Sequence, residues 1–160
     1  MTDIGIRLDP PNDDRNTLAW HQDSSYYRQN NSGKNGLVVW SPVIKLEKNM
    51  GTLEFIKDSY KIGTLNVKKK KSQKRFGSSK REIKPEILKK FKKIVTSNVN
   101  VGDALIINLD MVHRSGINSS QKVRVTFLSR FHNMMASDFN PGLNIYKYSD
   151  KKLNFEIHGF

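Results

Sequence analysis

VGDALIINLDMVHRSGINSSQKVRVTFLSRF, residues 101–131, decides the fold class. Its apolar residues recur with period two rather than 3.6, the spacing of strands that bury one face. With the preceding Asn98-Val99-Asn100, its first half reads as a strand pair over 98–113, turned at Gly102-Asp103. Leu105, Ile107, Leu109, Met111 and His113 share one parity, so a regular strand would end with an imidazole pointing into the core. In KVRVTFLSRF (122–131), Arg124, Thr126 and Leu128 share one face, and Val123, Val125, Phe127 and Phe131 share the other. An arginine among inward residues needs an anion, because an isolated buried charge is too costly to keep.

Further short extended segments precede this stretch. IGIRL (4–8) is closed by Pro10-Pro11, and TLAWHQ (17–22) follows. NNSGKNG (30–36) is a turn into GLVVWSPVI (36–44), where Pro42 marks an edge or a bulge. TLEFI (52–56) comes next. No internal repeat is visible, and short strands between turn signals point to an all-β barrel or sandwich. One segment has the helical period. In PEILKKFKKIVTS, Pro85 suits a first helical turn, and Ile87, Leu88, Phe91, Ile94 and Val95 fall at i, i+1, i+4, i+7 and i+8. This predicts one amphipathic helix near 85–97. Residues 66–84 read as a basic loop, so 66–97 form an insertion within a single domain spanning 1–160.

At 160 residues the chain fits one domain with one core. It has no cysteine, which excludes disulfides and thiolate zinc sites and suits a reducing cytoplasm. The start, MTDIGIRLDPPNDD, is too polar for a signal peptide, and no apolar run approaches the ~18 residues of a membrane span. A cytoplasmic protein is expected. The net charge of +13 invites a nucleic-acid reading, but its distribution opposes it. Residues 68–93 hold 13 Lys and Arg against two Glu, and the remainder is nearly neutral. Such a run is first a solvated insertion and second a means of attracting an anionic substrate. Only Phe76 and Phe91 interrupt the lysines, so base-stacking platforms are scarce and nucleic acid is not the expected partner.

One of the four histidines stands in WHQD, residues 20–23. In an extended segment His21 and Asp23 project to the same side. His113 lies ninety residues after Asp23. Two imidazoles and a carboxylate suit a divalent transition metal, and on one octahedral face they leave three positions open, as in non-haem Fe(II) oxygenases. Arg124 follows His113 by eleven residues on the next strand. It could grip bidentately the far carboxylate of a co-substrate acid that chelates the iron. Each feature alone has an ordinary reading, a strand-end histidine above all, but the ordered combination is far more specific.

With these pieces in place the sequence resembles the phytanoyl-CoA dioxygenase family of Fe(II)/2-oxoglutarate-dependent oxygenases. The matching stretches are WHQD at 20–23, NGLVVWSPV at 35–43, NMGTLEFIKDSYKIG at 49–63, VGDALIINLDMVHRSGINSS at 101–120 and VRVTFLSRF at 123–131. The resemblance implies a mainly β protein with a double-stranded β-helix, a jelly-roll or cupin-like barrel. It implies Fe(II) held by His21, Asp23 and His113, with 2-oxoglutarate as co-substrate, its distal carboxylate on Arg124, and O2. It further implies that Gln22, Trp40 and Ser115 help hold the co-substrate. Their ordinary readings are an exposed spacer, a core aromatic and a turn residue. The activity implied is hydroxylation of an unactivated C–H of a small or conjugated substrate, with release of succinate and CO2. Halogenating relatives lack the carboxylate, so a retained Asp23 favours hydroxylation.

Two features depart from the family pattern. Only twenty residues precede His21, where relatives have a substantial helical region. The outward face of the 122–131 strand then needs other cover, from the 85–97 helix or from a partner in a homodimer. Tyr60 stands where the family often has a histidine. Two other classes compete with the enzyme: a non-catalytic or truncated β-barrel binding module, and a basic nucleic-acid-binding protein.

Overall fold

The computed structural model describes residues 3–13, 17–26, 30, 32–47, 49–70, 80–91 and 94–140. Among these the chain is mainly β. The strands are β1 (Asp3–Asp9), β2 (Gly36–Pro42), β3 (Leu53–Ile56), β4 (Val67–Lys70), β5 (Lys80–Ile83), β6 (Ile94–Thr96), β7 (Leu105–Asn108), β8 (His113–Ser115) and β9 (Arg124–His132). One helical turn, α1 (Pro85–Leu88), lies between β5 and β6. A larger sheet runs β1-β9-β2-β7, a smaller one β6-β3-β8, and β4 pairs with β5 in a separate ribbon. Every pairing is antiparallel.

The alternation in β9 begins as its sequence requires. Arg124 and Thr126 are buried while Val125 between them is half-buried, and the alternation breaks from Phe127 onward, where Leu128 is half-buried and Ser129 buried. Pro42 pairs with Thr126 of β9 but lies past the end of the β7 ladder, which stops at Trp40↔Leu105. A residue without an N–H is tolerated there. Val38, Trp40, Leu53, Ile107 and Leu109 form the core between the two sheets. A second cluster, Ile56, Ile83 and Val112, has Trp20, Ile87, Leu88 and Phe91 packed against it and seats the root of the β4-β5 ribbon.

Four local expectations are corrected. Residues 17–22 form no strand; only His21 makes a β-bridge, to His113. The row from Leu105 to His113 is broken. The Asn108 side chain accepts from the Asp110 N–H at 2.8 Å and its carbonyl from the Met111 N–H at 2.9 Å. This Asn-centred turn ends β7 and delivers His113 to the other sheet. The helix stops after one turn. Ile87, Leu88 and Phe91 already bury against the second cluster. The β-branched run Ile94-Val95-Thr96 instead completes the edge of β3, with Glu54↔Thr96 and Ile56↔Ile94 in register. The ends of the basic loop, finally, are paired strands with Val67 opposite Ile83; its centre, 71–79, lies outside the described residues.

With the helix so short, it does not cover the outer face of the larger sheet. Ile4, Ile6 and Leu8 of β1, Phe131 of β9 and Ile106 of β7 stay exposed there. No helix among the described residues is long and apolar enough to cross a membrane.

Gly51 (φ 68°) and Gly116 place backbone beside backbone. A Cβ on Gly51 would lie 2.5 Å from the Ile117 carbonyl oxygen. Gly51→Ala combines that clash with left-handed strain, so urea unfolding should show a loss of about 1–3 kcal/mol.

Candidate metal centre

A reciprocal pair of backbone hydrogen bonds assembles the centre. The His21 N–H donates to the His113 carbonyl at 2.9 Å, and the His113 N–H returns to the His21 carbonyl at 3.0 Å. Residues paired this way sit directly opposite and send their side chains to one face. The two rings are accordingly 4.2 Å apart, centroid to centroid. Gln22 is extended (φ −124°, ψ 138°), so Asp23 returns to the same side as His21 and then enters a 3-10 turn, Asp23–Ser25. One donor atom from each of His21, Asp23 and His113 lies within 4.8 Å of the others, and all three residues are buried. His21 Nε2 is 3.3 Å and His113 Nε2 3.7 Å from Asp23 Oδ1. Ligands about 2.1 Å from an ion at right angles sit about 3 Å apart, so this set fits one divalent ion with little adjustment.

The surrounding hydrogen bonds prepare each donor. His21 Nδ1 meets the Ala19 carbonyl at 2.7 Å, and His113 Nδ1 meets the Met111 carbonyl at 2.9 Å. A carbonyl only accepts, so both Nδ1 atoms carry the proton and both Nε2 lone pairs face the centre. Arg130 donates from Nε to Asp23 Oδ2 at 2.8 Å, which leaves Oδ1 for the ion. Burial alone would raise the Asp23 carboxyl, but the Arg130 guanidinium and the two histidines override it and hold the group well below the usual carboxylate range. Burial, with His21 alongside, pushes His113 down to about 4, so it is neutral and ready to ligate at ordinary pH.

Gln22 is fully buried, which excludes the exposed spacer. Its amide N–H2 donates to the carbonyls of Gly63 and Asp110, and its oxygen accepts from the Leu65 N–H at 2.7 Å. It ties the His21–Asp23 segment to two loops. Trp40 is a buried member of the main core. Ser115 is half-buried on β8, and its backbone N–H donates to the Leu18 carbonyl. Tyr60 lies in the 3-10 turn Ser59–Ile62. Tyr26 stands 6.0 Å from His21, ring to ring, and its hydroxyl accepts from the Arg81 N–H at 2.7 Å. The basic ribbon is therefore rooted beside the centre.

Arg124 is buried, as its parity demands, and its anion comes from within the chain. Asp9 Oδ2 accepts from Nη2 at 2.9 Å and from Nε at 3.2 Å. Sequence reasoning missed both Asp9 and Arg130. Arg130 was within reach: it continues the even-numbered row Arg124, Thr126, Leu128. Asp9 carried no signal, since only the β1–β9 register places it opposite Arg124.

The Phytanoyl-CoA dioxygenase (PhyH) family model matches residues 8–126. The chain belongs to this family. Similar solved structures include the non-haem monooxygenase ThoJ in its apo form (TM-score 0.57, 20% identity, 81% of this chain and 47% of that one). EvdO2 from Micromonospora carbonacea var. aurantiaca, complexed with 2-oxoglutarate, gives 0.59 at 17% identity over 86% of this chain and 56% of its own. The epimerase SnoN, in complex with Fe3+, alpha ketoglutarate and nogalamycin RO, gives 0.63 at 14% identity over 99% and 60%. The likeness is one of fold, and the chain spans roughly half the length of these proteins. A comparison with curated proteins gives no match.

Two outcomes are expected. Outer partners of metal ligands are worth about 10–100-fold in affinity, so Arg130→Leu should weaken Mn(II) binding by that factor in calorimetry. His113, lowered on folding, binds fewer protons folded than unfolded between pH 6.5 and about 4. Its stabilising effect is therefore complete above 6.5 and drains away as the pH falls to 4, up to about 3 kcal/mol. Metal-free wild type should lose more stability than His113→Gln between pH 7 and 4.5 in urea melts.

Proposed function

We propose that this member of the phytanoyl-CoA dioxygenase family is an Fe(II)- and 2-oxoglutarate-dependent oxygenase that hydroxylates an unactivated C–H of a small or conjugated substrate, releasing succinate and CO2. The observation that carries this reading is the buried His21–Asp23–His113 set, with both Nε2 atoms and Asp23 Oδ1 presented to one point. The donors suit a borderline cation that keeps open positions, as Fe(II) does in this chemistry. When bound, iron and co-substrate supply oxygen activation and the oxidation of the C–H bond.

The chain's own part is positional and electrostatic. The carbonyls of Ala19 and Met111 fix the two rings, and Arg130 keeps Asp23 ionised and occupies Oδ2, so that Oδ1 is the atom that would be offered to an ion. With Asp23 balanced by Arg130, the ion's charge stays available to an anionic co-substrate. Arg124 is assigned to the distal carboxylate, and Ser115 and Trp40 to flanking contacts. Gln22 acts through the two loops it ties. A retained Asp23 fills the third ligand position and supports hydroxylation over halogenation. The basic ribbon beside Tyr26 supports an anionic substrate, by raising its local concentration. The reading treats residues 1–160 as one oxygenase-like unit working in the cytoplasm. A second copy is the proposed cover for the exposed face carrying Ile4, Ile6 and Leu8.

The test is iron-dependent conversion of 2-oxoglutarate to succinate in air, first without substrate and then with a panel of small acids and their conjugates. Wild type should form succinate only with Fe(II). Asp23→Ala and His113→Ala should fall by at least about a hundredfold, more than loss of an outer partner costs. A folded, iron-loaded wild type that makes no succinate would overturn the reading in favour of a non-catalytic β module.

A further inference from the structure

The Arg124 guanidinium has five N–H groups, and the chain uses nearly all of them. Nε and Nη2 go to Asp9 Oδ2. Nη1 reaches the carbonyls of Met50 at 3.0 Å, Gly51 at 2.8 Å and Gly116 at 3.0 Å. The edge a carboxylate would grip is thus occupied by a carboxylate. We propose that Asp9 holds the place of the co-substrate's distal carboxylate on Arg124, so that 2-oxoglutarate binds by displacing it and Asp9 sets the co-substrate affinity. This rests on the oxygenase reading above.

Three observations carry it. The Nη1 contacts are to backbone of the smaller sheet's loops and keep the guanidinium aimed whatever its other edge holds. Asp9 is buried and its carbonyl accepts from Asn118 Nδ2 at 2.8 Å, but its carboxylate rests on two arginine side chains rather than on backbone. It is the last residue of β1, which among the described residues is an edge strand paired with β9 alone, and Pro10-Pro11 follow it. Strand ends at a sheet edge open at lower cost than core segments. The third observation is independent of both. Thr126 Oγ1 is buried with no hydrogen-bond partner, two residues from Arg124 on the same face of β9. An orphaned buried hydroxyl is costly. A dicarboxylate lying between Arg124 and the metal would give it an acceptor.

The exchange is also sound in charge. Two carboxylates on one guanidinium edge repel, so Asp9 and the co-substrate exclude one another. Arg7, which donates to Asp9 Oδ1 at 2.8 Å, would face the newcomer once Asp9 has left. Asp9 therefore offsets part of the positive charge of Arg7 and Arg124 and keeps the pocket built, and a ligand that must displace it has its affinity lowered accordingly.

The experiment loads wild type and Asp9→Asn with Mn(II), which does not turn over, and titrates 2-oxoglutarate by calorimetry. The variant should bind it about tenfold or more tightly, with Mn(II) affinity unchanged. Hydrogen exchange on wild type gives a second readout that needs no variant: amides of Leu8 and Asp9 should exchange faster once 2-oxoglutarate is bound. Equal or weaker binding by a folded Asp9→Asn, or unchanged exchange in wild type, would overturn the proposal. If Asp9→Asn does not fold, the exchange result decides alone. If both proteins take Mn(II) but neither takes 2-oxoglutarate, the oxygenase reading fails and this inference with it.

Discussion

The centre depends on one backbone pairing, the two hydrogen bonds between His21 and His113. Through them the chain brings together residues far apart in sequence and points both imidazoles to one side. The local geometry is then repeated. Each histidine gives its Nδ1 proton to the carbonyl two residues before it, Ala19 in one case and Met111 in the other. A ring held at both its backbone and its Nδ1 has little freedom left, so the Nε2 donors are set before any ion arrives. Gln22 secures this pairing by bonding the 63–65 loop and the 110 turn on either side.

Charge is arranged around the same point by β9. Its inward row offers Arg124 at one end and Arg130 six residues on. Each holds one aspartate: Asp9, and Asp23 of the candidate metal centre. Buried ion pairs are weak evidence for stability, since desolvation offsets their attraction. Their use here is to fix geometry. Arg130 selects which Asp23 oxygen faces the ion, and Arg124 braces the loops at Gly51 and Gly116. The +13 of the chain has little part in this, because most of it lies in the ribbon and the segment that follows.

Much of this was legible in the sequence because it rests on period-two patterning. The inward placement of Arg124 and Thr126, the strands of the larger sheet and the gathering of His21, Asp23 and His113 all follow from alternation and from the type and order of a few residues. What failed was local context. The 85–97 period matches a helix, but an open edge on β3 and early burial of Phe91 stop it after one turn. The Asn108 turn interrupts a strand whose parity looked continuous. TLAWHQ has strand composition but only one bridge. The partner of Arg124 required the β1–β9 register, which no single-sequence pattern encodes. Parity placed Arg124 inward; only the fold shows which anion it holds.

The central claim is that His21, Asp23 and His113 hold one Fe(II) to which 2-oxoglutarate binds directly. Anaerobic addition of 2-oxoglutarate to the Fe(II)-loaded protein tests it most directly, through the weak visible charge-transfer band of a chelated 2-oxo acid. The account predicts the band in wild type, its loss in His113→Ala and its weakening in Arg124→Ala. A folded, iron-loaded wild type that shows no band at saturating 2-oxoglutarate would contradict it.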